Sequence, residues 1–170
     1  MHKYIKSSYL FGLTGGLLCL LAFWVLFLID LEPIDFTLFF ACMITPVFVF
    51  IGIKNFRDNF GDGELLFAQG MTVGFVIYAL LALVAAAGIA LFLQLDQDIF
   101  LNYRAEKIEW LQGKEAYITE NINKEAFEKT LEKNEEMSIS DIALDVFLKI
   151  FMLELFFTII ISIILKRTKK

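Results

Sequence analysis

The chain has 170 residues, 58% of them hydrophobic, with 19 Phe and a mean hydropathy of +0.68, a composition outside that of an ordinary soluble domain. Its formal net charge is -5, and no basic stripe gives the footprint of a nucleic-acid binder. The apolar residues are clustered in long runs, so the expected class is an all-α integral membrane protein with four transmembrane helices and a helical extracytoplasmic segment between helices three and four.

A helix needs about 20 apolar residues to cross a hydrocarbon core roughly 30 Å thick. Runs at 9–29, 70–93 and 146–165 reach that length, and the run at 36–53 is slightly short. The first run is too long for a signal-peptide core, and LIDLEPID after it offers no small-residue cleavage site, so a retained helix is expected. Residues 1–170 read as a single membrane domain. Lys and Arg stay on the cytoplasmic side of short segments. Lys3 and Lys6 precede helix one, Lys54 and Arg57 lie between helices two and three, and Lys166, Arg167, Lys169 and Lys170 follow helix four. The loop between helices one and two carries only acids, Asp30, Glu32 and Asp35. The pattern predicts a multi-pass protein of the cytoplasmic (inner) membrane with both termini cytoplasmic, which leaves 94–145 outside.

Helix one carries Gly12 and Gly16, and helix three Gly70 and Gly74, at the four-residue spacing that lets backbones approach closely. Helices one and three run parallel, so contact between these glycine pairs is expected, within one monomer or across a dimer; the alternative is that glycine is simply common in membrane helices. Ala82, Ala86 and Ala90 add a second small-residue stripe to helix three. In helix two, Pro46 cannot donate to the carbonyl of Cys42, and a kink is expected there; neighbouring groups in a membrane commonly satisfy such a carbonyl, so the feature reads as structural.

Between helices two and three stands KNFRDNFGDGELLFAQG, 54–70. Its DNFGDG imitates the start of a calcium loop, but the third position is Phe60 and the twelfth Gln69, so two ligands are wanting. A cytoplasmic hinge is the better reading. Arg57 helps set orientation, Gly61 and Gly63 turn the chain, Asp62 is expected to cap helix three, Glu64 to sit in its first turn, and the turns through Gln69 to lie in the interface.

Helix four holds Glu154 at mid-span. An acid there costs about 2.5–3.5 kcal/mol on insertion scales and raises the question of function. Lys149 pairs with Asp145, four residues away, rather than with Glu154. Glu154 shares a stripe with Thr158 and Ser162, expected to face protein, and a protonated Glu154 is expected to donate toward Thr45 and the carbonyl freed by Pro46. This polar contact between helices two and four is a candidate for proton relay or solute binding as well as for packing.

The outer segment 94–145 has roughly twice as many acids as bases, which weakens its bases as topology markers. Ile99, Tyr103 and Trp110, then Ala126, Phe127, Thr130 and Leu131, recur near helical spacing, which predicts two or three short amphipathic helices. Glu125 and Lys129 form a four-residue pair, and Ser138 with Asp141 resembles a capping box opening helix four.

Catalytic chemistry has little to draw on. The single His, His2, lies near the start of the chain, and Cys19 and Cys42 lie in apolar runs, where they act as small apolar residues. No phosphate-cradling GK[ST] loop and no Ser-His-acid set is present. No enzyme activity, metal or cofactor is expected.

Arg57, Gly61, Gly63, Phe67, Gln69, Gly70 and Gly74, with DQDIFLNY at 96–103 and MSISDIAL before a final helix and basic tail, resemble the bacterial four-helix membrane proteins catalogued as domain-of-unknown-function family 4199. The likeness covers nearly the whole chain. It implies a bacterial inner membrane protein and brings no activity with it; the family's pattern does not require an acid at the position of Glu154. The leading expectation is a non-catalytic assembly or partner-binding protein in the lipid bilayer, acting with a second copy or another membrane protein. The alternative is a small transporter or channel subunit that uses Glu154.

Overall fold

The computed structural model describes residues 2–29 and 31–168. Asp30, Lys169, Lys170 and the His2 side chain, all used in the charge and ligand reasoning above, lie outside the described residues. Among the described residues seven helices follow in chain order: α1 (His2–Leu28), α2 (Pro33–Phe60), α3 (Phe67–Leu95), α4 (Gln97–Gln112), α5 (Glu115–Asn121), α6 (Lys124–Glu135) and α7 (Ile139–Leu165). Four of them, α1, α2, α3 and α7, are long and apolar enough to cross a membrane. The chain divides into two compact units, one of residues 1–89 and 144–170 and one of residues 90–143.

In the first unit the usual distribution of polarity is inverted. Leu17, Leu21, Phe39, Met43, Leu83 and Phe156 are exposed, whereas Thr37, Thr45, Glu154, Thr158 and Ser162 are buried. That arrangement suits a lipid surround, where an apolar exterior costs nothing and polar groups seek the protein interior.

Small residues set the helix contacts. A Cβ at Gly12 would stand 2.7 Å from the Leu80 Cβ and 2.9 Å from the Ile77 carbonyl oxygen. At Gly16 it would stand 2.7 Å from the Val84 Cβ, and Gly88 meets Leu20 in the same way. Residue numbers rise together along both helices, so α1 and α3 are parallel. Gly15 faces Phe48, and Gly52 faces Phe11 as well as Ile77, so α2 runs antiparallel to α1 and also touches α3.

Gly70 and Gly74 differ from expectation. They face Ser162 and Thr158 of α7, not the glycines of α1. The α1–α3 contact is made instead by Gly12 and Gly16 against Ile77, Leu80, Leu81 and Val84, two turns further along α3. Spacing identifies a face that can approach a neighbour; it does not say which neighbour.

The turn after α2 also departs from expectation. Helix α3 begins at Phe67, so Asp62 does not cap it and Glu64 precedes it. Asp62 takes the left-handed conformation (φ 52°), followed by Gly63 (φ 78°), and the Gly63 amide donates to the Arg57 carbonyl at 3.0 Å. The end of α3 is served by Gln69, whose side-chain oxygen accepts from the Leu66 amide at 2.9 Å. Between them, buried Leu65 pairs in antiparallel fashion with Arg167: its amide donates to the Arg167 carbonyl (2.7 Å), and the Arg167 amide donates back (3.0 Å).

In the second unit, α4, α5 and α6 give the three short helices expected. Tyr103, Leu111 and Phe127 are their buried side chains. Trp110, placed on the apolar face by its spacing, is 59% exposed, with Leu111 taking the buried position. The Ser138–Asp141 box is formed: Ser138 donates from its amide (2.8 Å) and hydroxyl (2.6 Å) to the Asp141 carboxylate. Lys129–Glu125 (2.7 Å) and Lys149–Asp145 (2.5 Å) pair as their spacing predicts.

The helix contacts generate a first prediction. Gly12→Ala drives a methyl group against backbone as well as side chain, and is expected to lower stability by about 1–3 kcal/mol, read as the thermal midpoint in detergent. Gly113→Ala, whose Cβ meets nothing closer than 3.5 Å, is expected to be neutral or slightly stabilising.

Candidate functional site

Glu154 projects from α7 into the interior of the first unit and is 0% exposed. Thr158 and Ser162 lie one and two turns further along the same face, equally buried. Opposite them, α3 comes close because it has no side chains there: a Cβ at Gly70 would lie 2.8 Å from the Ser162 hydroxyl, and one at Gly74 would collide with Thr158. The antiparallel register set by these two contacts places Tyr78, four residues beyond Gly74, at the level of Glu154. The Tyr78 ring is 1% exposed and packs edge-on against Phe151 (5.1 Å) and Phe75 (5.6 Å), so the same seam carries an aromatic wall.

The other helices complete the surroundings. Cys19 of α1, Cys42 of α2 and Tyr78 of α3 all lie within electrostatic range of the Glu154 carboxyl. Thr45, fully buried, follows Cys42 by three residues and shares its helix face. All four long helices therefore contribute a side chain to the neighbourhood of one acid. Sequence reasoning had singled out Glu154, Thr158, Ser162 and Thr45. It missed Tyr78, Cys19 and Cys42; Tyr78 continues the four-residue stripe of Gly70 and Gly74, a signal present in the sequence.

The expected hydrogen bond from Glu154 to α2 is not made. Both Glu154 carboxyl oxygens and the hydroxyls of Thr45, Thr158 and Ser162 are buried without a hydrogen-bond partner. The hydroxyls are unusual within this chain. Thr14, Thr37, Thr72 and Thr130 each donate to the carbonyl four residues earlier, at 2.7, 2.5, 2.8 and 2.7 Å. A helical Thr has that bond available at all times, so the three interior hydroxyls have turned away from it. Each unmet group of this kind costs about 1–3 kcal/mol.

The hinge residues occupy one end of the first unit and do not join this cluster. Arg57 donates to Asp58 at 2.7 Å, and Phe60 stacks on Phe56 at 6.1 Å. Lys54 and Arg167 act on Asp58 electrostatically, and Lys3 lies over the Tyr4 and Phe56 rings, so bases from three segments gather at this end. A groove of about 490 Å³ between α1 and α2, lined by Lys6, Ser7, Leu10, Phe11, Thr14, Asn55 and Phe60, opens beside it. Among the described residues no cluster of His, Cys, Asp or Glu has the makings of a metal centre.

Compared with known proteins, the chain matches one family model, described as "Protein of unknown function (DUF4199)", over residues 10–167. No curated protein and no solved structure matches it.

The unmet oxygens generate a second prediction. Replacing Glu154 with Met, similar in volume and apolar, is expected to raise the thermal midpoint in detergent, by the equivalent of about 1–3 kcal/mol. A fall in the midpoint would mean that the carboxyl has hydrogen-bond partners whose loss is felt.

Proposed function

This chain belongs to the DUF4199 family, and on that premise we propose that it is a non-catalytic, multi-pass protein of the bacterial cytoplasmic membrane that acts by engaging another membrane protein or a second copy of itself. The observation that carries this reading is the surface of α4, α5 and the residue after α5, where Trp110, Tyr117 and Ile122 are 59%, 68% and 67% exposed. Apolar side chains of this size on otherwise charged helices mark a contact surface. Glycine faces of the long helices, by contrast, are used within the chain and leave less for an oligomer to use.

The charge of the segment argues for a protein partner over a lipid surface. Between Gln94 and Asp145 there are thirteen acids and six bases. Three of the bases sit over aromatic rings one turn earlier: Arg104 over Phe100 (5.4 Å), Lys107 over Tyr103 (4.9 Å) and Lys114 over Trp110 (4.2 Å). Two more, Lys124 and Lys129, pair with Glu128 and Glu125. The face left to an incoming surface is acidic, which repels anionic headgroups and suits a partner with basic groups around an apolar centre.

Topology rests on the same reasoning as in the sequence, supported by the gathering of Lys3, Lys54, Arg57 and Arg167 at one end of the first unit. That end is the cytoplasmic one in this reading, with 94–145 outside. The absence of catalysis rests on the sequence, whose single His is His2. A second reading, a small transporter or channel subunit, is favoured by one observation, the unpartnered oxygens around Glu154.

Two measurements test the proposal. With Cys19 and Cys42 replaced by Ala, a membrane-impermeant maleimide applied to intact cells is expected to label Gln112→Cys and to spare Asn59→Cys; the reverse pattern would overturn the topology. A photo-cross-linking residue at Trp110 is expected to capture a discrete protein adduct in membranes, lost on Tyr117→Glu. Lipid adducts alone, together with proteoliposome flux that depends on Glu154, would favour transport instead.

A further inference from the structure

We propose that Glu154 is an exchangeable proton-binding site in the interior of the helix bundle, reached along the hydroxyl groups of Thr158 and Ser162 on the same face of α7. The geometry points first to what the site cannot hold. Along α7, Ser162 lies eight residues beyond Glu154, about 12 Å at ~1.5 Å per residue. Oxygens spread over that length cannot share the coordination sphere of one hard cation, whose ligands lie at about 2.0–2.6 Å. They form a line, which suits a proton carried over hydroxyls and water rather than a caged metal.

The second step concerns charge. On the other long helices, Cys19 of α1, Cys42 of α2 and Tyr78 of α3 lie within electrostatic range of Glu154, and none of them supplies a positive charge. On its own helix, the Lys149 ammonium is engaged by Asp145. Among the described residues neither carboxyl oxygen has a hydrogen-bond partner. An ionised carboxylate buried without a counter-charge or hydrogen bonds costs several kcal/mol even after relaxation, whereas a carboxylic acid is neutral and has a proton to give. Intramembrane acids in such settings are the usual carriers in proton relays.

The third step concerns the hydroxyls. Thr45, Thr158 and Ser162 forgo the backbone bond that Thr14, Thr37 and Thr72 make on the same long helices. Each hydroxyl can both donate and accept, so a line of them passes a proton without itself becoming charged for long. Gly70 and Gly74 let the α3 backbone close over Ser162 and Thr158, so these two hydroxyls are covered by protein. The file runs from the acid toward the end at which Leu65 and Arg167 pair.

The test uses the full-length chain in mild detergent and the hydrophobic reagent dicyclohexylcarbodiimide. A protonated carboxyl adds across one C=N bond of this reagent, and the adduct rearranges to a stable N-acylurea; a carboxylate does not react. Peptide mass mapping of the wild-type chain is expected to find the adduct on Glu154, and Glu154→Gln to lose it, with elution in size-exclusion chromatography showing that the variant is folded. The labelling rate is expected to fall about tenfold per pH unit on the alkaline side of the titration, and to be unchanged by sodium or potassium at fixed pH. With Thr158→Val and Ser162→Ala together, labelling at acid pH persists while its response to a pH jump slows several-fold. Labelling of Glu154 that ignores pH would reveal an acid sealed from water, protection by sodium would reveal a metal site, and a failure to label Glu154 at any pH would remove the protonated acid; each result overturns the proposal.

Discussion

Where α3 passes α7, the two backbones come close because Gly70 and Gly74 present no side chain to Ser162 and Thr158. In a lipid surround the hydrophobic effect does little to bring helices together, and close packing with polar contact has to serve instead. This seam supplies the packing and leaves the polar contact incomplete. Its register fixes the rest: once Gly74 lies against Thr158, Tyr78 must lie near Glu154, and further along the small Ala82 and Ala86 come level with buried Ile150 and Val146. A bulkier residue at either glycine would widen the seam where the polar stripe lies, and the acid would no longer be shut away from lipid.

The apolar end of the seam is closed by a different device. Val49, Ile53, Phe56, Leu65, Ile161 and Leu165 belong to one hydrophobic cluster, and Leu65 is held in it by two backbone bonds to Arg167. A short extended pairing is an economical way to tie a turn to the end of a distant helix, because it satisfies backbone groups that burial would otherwise leave unmet. Its cost is local. Asp62 must take a left-handed conformation that is disfavoured for a side-chain-bearing residue, though least so for Asp and Asn.

Much of this was legible from residues alone. The apolar runs locate the four long helices because each has the length a span requires, although the helices extend past the runs into polar sequence: α2 continues to Phe60 and α7 starts at Ile139. Local chemistry was also readable. The Ser138–Asp141 box and the Glu125–Lys129 and Asp145–Lys149 pairs depend only on neighbours three or four residues away. Distant partners were legible only in part: α1 and α3 do meet in parallel at Gly12 and Gly16, but the partners on the other side were not legible. Gly70 and Gly74 show a face but not the helix that fills it; Leu65 and Arg167 are a hundred residues apart and carry no sequence mark of their pairing; Asp62 looked like a cap because acids favour that position, yet the turn needed its backbone elsewhere. Period alone does not separate adjacent Trp110 and Leu111; the fold buries Leu111 and leaves Trp110 exposed. The stripe of Glu154, Thr158 and Ser162 was visible as a four-residue repeat, and only the fold could add that its oxygens find no partner and that Cys19, Cys42 and Tyr78 lie within electrostatic range of Glu154.

The account stands on the pairing of α3 with α7, and disulfide trapping measures it directly. In a chain with Cys19 and Cys42 changed to Ala, oxidation in native membranes should link Gly70→Cys to Ser162→Cys within one chain, since a Cβ at position 70 lies 3.0 Å from that of Ser162. The pair Gly70→Cys with Gly16→Cys should stay unlinked. Efficient linkage of 70 to 16, with none of 70 to 162, would place the glycine face of α3 against α1 and contradict the arrangement from which the interior site around Glu154 is built.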